Sequence, residues 1–81
     1  MERVSGRNDT QAHLKELGKS IRARRLALDI SQETLAHLAS IDRSHMGKIE
    51  RGERNVTLLN LAKIAGALAC RPSDLLIAAG M

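Results

Sequence analysis

Apolar residues in this chain recur three and four positions apart, the spacing of helices and not of strands. Leu14, Leu17, Ile21 and Leu28 mark one face of a segment that carries Lys15, Lys19, Arg22 and Arg24 elsewhere, which predicts a first helix from about Thr10 to Leu28. A second helix runs from Gln32 to about Ala39 and turns Leu35, Ala36 and Ala39 inward. The third, Arg43 to about Glu50, has Met46 and Ile49 as inward positions. In the fourth, Leu58, Leu61, Ile64, Ala65 and Leu68 keep one face, and a short fifth runs from Pro72 to Ala79. No stretch alternates with period two long enough to make a strand, so the expected fold class is all-α with five helices.

The punctuation agrees with the periodicity. Ser31, Asp42 and Thr57 each stand one residue before a helix, where a side-chain oxygen accepts an otherwise unpaired N–H of the first turn. Glu33 suits the positive end of the helix-two dipole. Gly52 supplies the left-handed conformation that ends helix three, Pro72 opens helix five without needing an N–H, and Gly80 lies beyond its end. Residues 1–9 are polar, contain Gly6 and Asn8 and show no apolar period. They read as a flexible arm, and residues 10–81 as a single domain.

Composition narrows the chemistry. Eighty-one residues make one small domain, and a chain of that size buries only about 60% of the surface its unfolded form exposes. The absence of Phe, Tyr and Trp leaves no ring on which to stack an unpaired base, which counts against single-stranded nucleic acid as the target. A net charge of +4 suits a polyanion, the alternative being an ordinary basic soluble protein. Cys70 is alone, so it forms no internal disulfide and lacks zinc-finger companions; His13, His37 and His45 do not share a ligand-like spacing with it. No metal or cofactor is expected. The polar start is unlike a secretory signal and no apolar run approaches the ~20 residues of a membrane span, so the expected location is the cytoplasm, away from the membrane. No serine or cysteine has a base and an orienting partner at hand, and the glycines form no phosphate-cradling loop, so no enzyme is expected.

Two short helices joined by a tight turn, the second with polar side chains outward, describe a helix-turn-helix. The run ISQETLAHLASIDRSHMGKIERGERNVTLLNLAKIAGAL resembles that of the Cro/cI-like (Xre) family of bacterial and phage regulators, through Gln32, Leu35, Ala36, the Ser40-Ile41 turn, Met46, Ile49, Glu50 and Gly52. The resemblance spans about Leu17 to Leu76 and implies a five-helix, lambda-repressor-like domain, with helices two and three as the helix-turn-helix, that binds operator DNA as a dimer. The stretch ASIDRSHMGKIERGERNVTL is similar in particular to the small stand-alone controller proteins of restriction-modification systems. Where that family usually has glycine in the turn, this chain has Ser40, which is thereby expected at positive φ.

A major groove about 12 Å wide admits one helix, and only side chains off its buried face reach base edges. Helix three leaves Arg43, Ser44, Gly47 and Lys48 on that side. Arg43 is a candidate to grip guanine O6 and N7, Lys48 a second guanine or a phosphate, and Ser44 a base edge or a phosphate; the alternative for Arg43 and Lys48 is a solvated helix face. Close approach to DNA is one reason for a glycine at position 47. By the resemblance, Gln32 bonds a phosphate at the start of helix two, Arg22, Arg51, Arg54, Asn55 and Thr57 are further phosphate contacts, and Arg25 pairs with Glu50 to tie helix one to helix three. Helix five has apolar residues on every side, more than one packed face hides, so Leu76, Ile77 and Ala78 are assigned to a homodimer contact that would space two recognition helices for a palindromic site. The function expected is a sequence-specific, double-stranded-DNA-binding regulator of transcription, with RNA polymerase a candidate protein partner. The competing reading is an antitoxin, which binds a toxin and regulates its own operon.

Overall fold

A computed structural model describes the backbone of residues 7–81 and the side-chain surroundings from residue 11 onward. The five helices are α1 (Arg7–Ala27), α2 (Gln32–Ala39), α3 (Arg43–Glu50), α4 (Leu58–Ala67) and α5 (Pro72–Ala78). All three anticipated caps form: Ser31 accepts from the N–H of Thr34, Asp42 from those of Ser44 and His45, and Thr57 from that of Asn60. The first helix begins three residues earlier than its apolar period suggests, so residues 7–9, assigned to the arm, are helical; the remainder of that arm lies outside the described residues.

Every helix ends in the same way. Asp29, Ser40, Gly52, Ala69 and Gly80 all have φ between 56° and 83°. At each, the N–H of the left-handed residue returns to the carbonyl three residues before it, and the next N–H returns to the carbonyl five before, as in Ser40 to His37 and Ile41 to Ala36. This is the Schellman motif, which satisfies carbonyls that a helix end otherwise leaves unpaired. The expected positive φ of Ser40 is met, and Asp29 and Ala69 carry the same backbone without being glycine.

The helices enclose one core. Ile21, Leu35, Met46, Ile49, Ile64, Leu68 and Leu75 are its largest fully buried side chains. Helix α1 packs on α3 and α5, α2 on α3 and α4, and α4 on α5. The close α1–α3 contact depends on Gly18, where a Cβ would fall 2.7 Å from the Ile49 carbonyl oxygen, on the last turn of α3. Two apolar assignments fail. Leu28 lies beyond the end of α1 and is exposed, and Leu58, at the first position of α4, is 79% exposed, the buried face of that helix starting one turn later at Leu61. Leu75 supplies the core contact of α5, with Leu76 half-buried beside it. No helix among the described residues is long and apolar enough to cross a membrane.

Candidate nucleic-acid interface

Helix α3 is anchored along one side. Met46 and Ile49 are buried to within 1% of complete exclusion from solvent, and Glu50 meets Arg25 of α1 in a two-pronged ion pair, Nε to Oε2 at 2.8 Å and Nη2 to Oε1 at 3.0 Å. Arg25 Nη1 donates to the Ile30 carbonyl at 3.0 Å, and Gln32 Nε2 donates to Glu50 Oε1 at 3.1 Å. Three helices therefore converge on one buried carboxylate. Hydrogen bonding to Glu50 holds the Arg25 guanidinium above its ordinary range, outweighing the opposite pull of burial. The anticipated Arg25–Glu50 pair is present, and Gln32 joins it.

The free side of α3 carries Ser44, exposed, and Lys48, half-buried, one turn apart. Arg43 is exposed at the helix start, and neither Arg43 nor Lys48 is held in an ion pair among the described residues. Helical register puts Arg43 on a different row, with Gly47 and Arg51 at successive four-residue steps. Gly47 is buried on that row, not on the free side. A Cβ there would lie 3.2 Å from Arg51 Nη1 and 3.3 Å from Gln32 Oε1. The glycine makes room for a neighbouring helix's amide, which replaces close approach to DNA as its explanation. The row thus reads Arg43, then the Gln32 amide laid over Gly47, then Arg51.

The remaining assigned residues border this surface to different degrees. Gln32 is half-buried and its side chain turns in toward Glu50, so what α2 offers outward is the free backbone N–H groups of its first turn. Arg51 is exposed but occupied: its Nε and Nη2 donate to Glu53 at 2.9 and 3.3 Å. That bond holds the Glu53 carboxyl below its ordinary range, helped by the nearby charges of Lys48 and Arg54. Arg54, Asn55 and Thr57 are exposed in the segment leading into α4, Thr57 with its oxygen engaged as the cap, and Arg22 is exposed on α1. Glu53, an acidic residue amid these cations, escaped sequence reasoning; its place two residues after Arg51 was the available signal. Leu76 is half-buried, Ile77 is 70% exposed and Ala78 is exposed, so α5 does present an uncovered apolar surface.

An anchored helix with an open polar side, entered through a capped tight turn from a second helix, defines a DNA-binding transcription regulator of the Cro/cI type. The chain belongs to the helix-turn-helix family, which matches residues 21–75. It is 45% identical over 60 residues to the control protein C.BamHI of Bacillus amyloliquefaciens, covering 73% of this chain and 74% of that one. The control protein C.SmaI of Serratia marcescens is 38% identical over 65 residues, 80% of this chain and 77% of the relative. Among solved structures, the restriction-modification controller protein C.AhdI from Aeromonas hydrophila superposes with a TM-score of 0.75 at 48% identity, over 76% of this chain and 94% of its own.

Proposed function

We propose that the protein is a restriction-modification controller that binds a palindromic operator as a homodimer in the cytoplasm. Arg43, Ser44 and Lys48 enter the major groove, and Arg22, Arg51, Arg54, Asn55 and Thr57 face the flanking phosphates, with Gln32 contributing through its backbone N–H at the start of α2. The observation that carries this reading is the anchoring of α3: Met46, Ile49 and the Arg25–Glu50 pair hold one side, while Arg43 and Ser44 are exposed to solvent. A rigid helix with its polar side open needs little ordering on docking, so its contacts translate into affinity. The uncovered α5 surface supports the dimer, because one eight-residue helix reads too few bases for selective binding. The relatives named above are controllers, which favours this reading over the antitoxin alternative.

Selection from a random duplex library at a stated salt concentration tests the proposal. The expected outcome is an enriched palindrome with half-sites about one helical turn, ~34 Å, apart. Arg43→Ala should lose about 1 to 3 kcal/mol on that site and little on random duplex. Equal losses on both would remove Arg43 from base reading. Ile77→Glu should shift the protein to monomer in sedimentation; a dimer that survives it would move the contact away from α5.

A further inference from the structure

We infer that Ser44 meets DNA only as a hydrogen-bond acceptor, because its hydroxyl hydrogen is committed to a bond with Asp42, and that it therefore reads the amino group of an adenine or cytosine. This rests on the DNA-binding reading above and adds the chemistry of one contact. Ser44 Oγ lies 2.6 Å from Asp42 Oδ2. Of those two oxygens only the hydroxyl carries a hydrogen while the carboxyl is ionised, so the direction of the bond is settled. The same Oδ2 also accepts the N–H groups of Ser44 at 3.1 Å and His45 at 3.3 Å. These three donors hold the Asp42 carboxyl below its ordinary range, the Ser44 hydroxyl contributing most, so the acceptor stays ionised at neutral pH.

The consequence for recognition follows from the donor and acceptor inventory. A serine hydroxyl has one hydrogen and two lone pairs. With the hydrogen committed to a charge-assisted bond, which is shorter and about twice as strong as a neutral one, what remains on this exposed side chain is lone pairs. Phosphate oxygens, guanine O6 and N7 and thymine O4 are acceptors too, so each would have to pull the proton away from a carboxylate. Adenine N6 and cytosine N4 are donors and meet the free lone pairs directly. Ser44 thus discriminates amino from keto bases on one strand and is excluded as a phosphate contact. Asp42 is a positioning residue: it touches no base in this scheme and acts by fixing where the Ser44 proton points.

The test uses the full chain and the duplex enriched by selection. Ser44→Ala, whose helix start keeps its Asp42 cap, should bind that duplex about fivefold more weakly, one neutral hydrogen bond's worth. It should lose amino-over-keto preference at a single position of each half-site. Replacing the adenine there by purine, or the cytosine by its analogue lacking the 4-amino group, should cost the wild type a similar factor and Ser44→Ala nothing. Asp42→Asn, an equally good helix cap, should keep the melting temperature near that of the wild type yet admit guanine or thymine at the same position, because the hydroxyl is no longer held by a charge. A keto preference lost in Ser44→Ala, an even loss across all sequences, or no effect of Ser44→Ala at any position would each overturn the inference while leaving the regulator intact. Absence of any enriched duplex would instead overturn the regulator reading itself.

Discussion

Removing Glu50 should strip away a large part of the domain's stability, and removing Arg25 along with it should restore most of it. Arg25 is 8% exposed and Glu50 7%, and in Glu50→Leu the Arg25 guanidinium loses the acceptors of Nε and Nη2 while keeping only the Ile30 carbonyl. Gln32 loses its partner at the same time. Stranding one member of a buried pair costs about 3 to 5 kcal/mol. At about 0.05 to 0.15 kcal/mol per residue, the whole stability of an 81-residue domain is roughly 4 to 12 kcal/mol. Arg25→Met strands Glu50 with only the Gln32 amide and should cost a comparable amount. The double variant Arg25→Met/Glu50→Leu carries no buried charge and fills a similar volume, so it should return to within about 2 kcal/mol of the parent. Urea unfolding at fixed protein concentration measures this; circular dichroism is the probe, since the chain has no aromatic side chain to fluoresce. A loss below about 1 kcal/mol in either single variant, or a double variant as unstable as the two losses added, would refute the account of a buried and mutually dependent pair.

Further outcomes follow from named contacts. Ala69→Gly should raise thermal stability by about 0.5 to 1 kcal/mol, since relief of a left-handed non-glycine exceeds the entropy glycine adds to the unfolded chain; a lower melting temperature would contradict the assignment of strain at φ 56°. Gly18→Ala should destabilise by about 1 to 3 kcal/mol despite the better helix propensity of alanine, because the new methyl meets the Ile49 and Glu50 carbonyls, and a stabilised variant would show that α1 and α3 separate freely. Glu53→Gln should tighten binding to random duplex and steepen its salt slope by about one counterion, as Arg51 becomes free for phosphate; unchanged binding would mean Arg51 lies off the DNA path. Asp42, its carboxyl lowered in the folded state, contributes stability that is present above the ordinary carboxylate range and drains away as pH falls through the lowered value, so acid melts of the wild type should start level with those of Asp42→Asn at neutral pH and drop below them in acid; parallel curves would rule out the cap as the titrating element.

The helices and their ends were legible because the forces that set them act within about four residues. The caps Ser31, Asp42 and Thr57 and the core stripe through Leu35, Met46 and Ile64 follow from neighbours along the chain, while the unusual φ of Ser40 was legible through the glycine that the resembling family carries there. Periodicity misled at the margins, at Leu28 and Leu58, which stand just past the end of one helix and at the first position of another, outside the buried stretch of each stripe.

The polar surface was less legible. Gly47 is a glycine because the Gln32 amide of another helix lies over it, and Gly18 because the last turn of α3 passes against it. Arg51 answers to Glu53, and the Ser44 proton to Asp42, although both partners stand only two residues away. Sequence alone determined the number of helices, their caps and their buried faces, since those are properties of single elements. The tertiary structure decided which donors and acceptors are already taken and which remain open, because that depends on the rotation of each helix against the next and on where each side chain comes to rest.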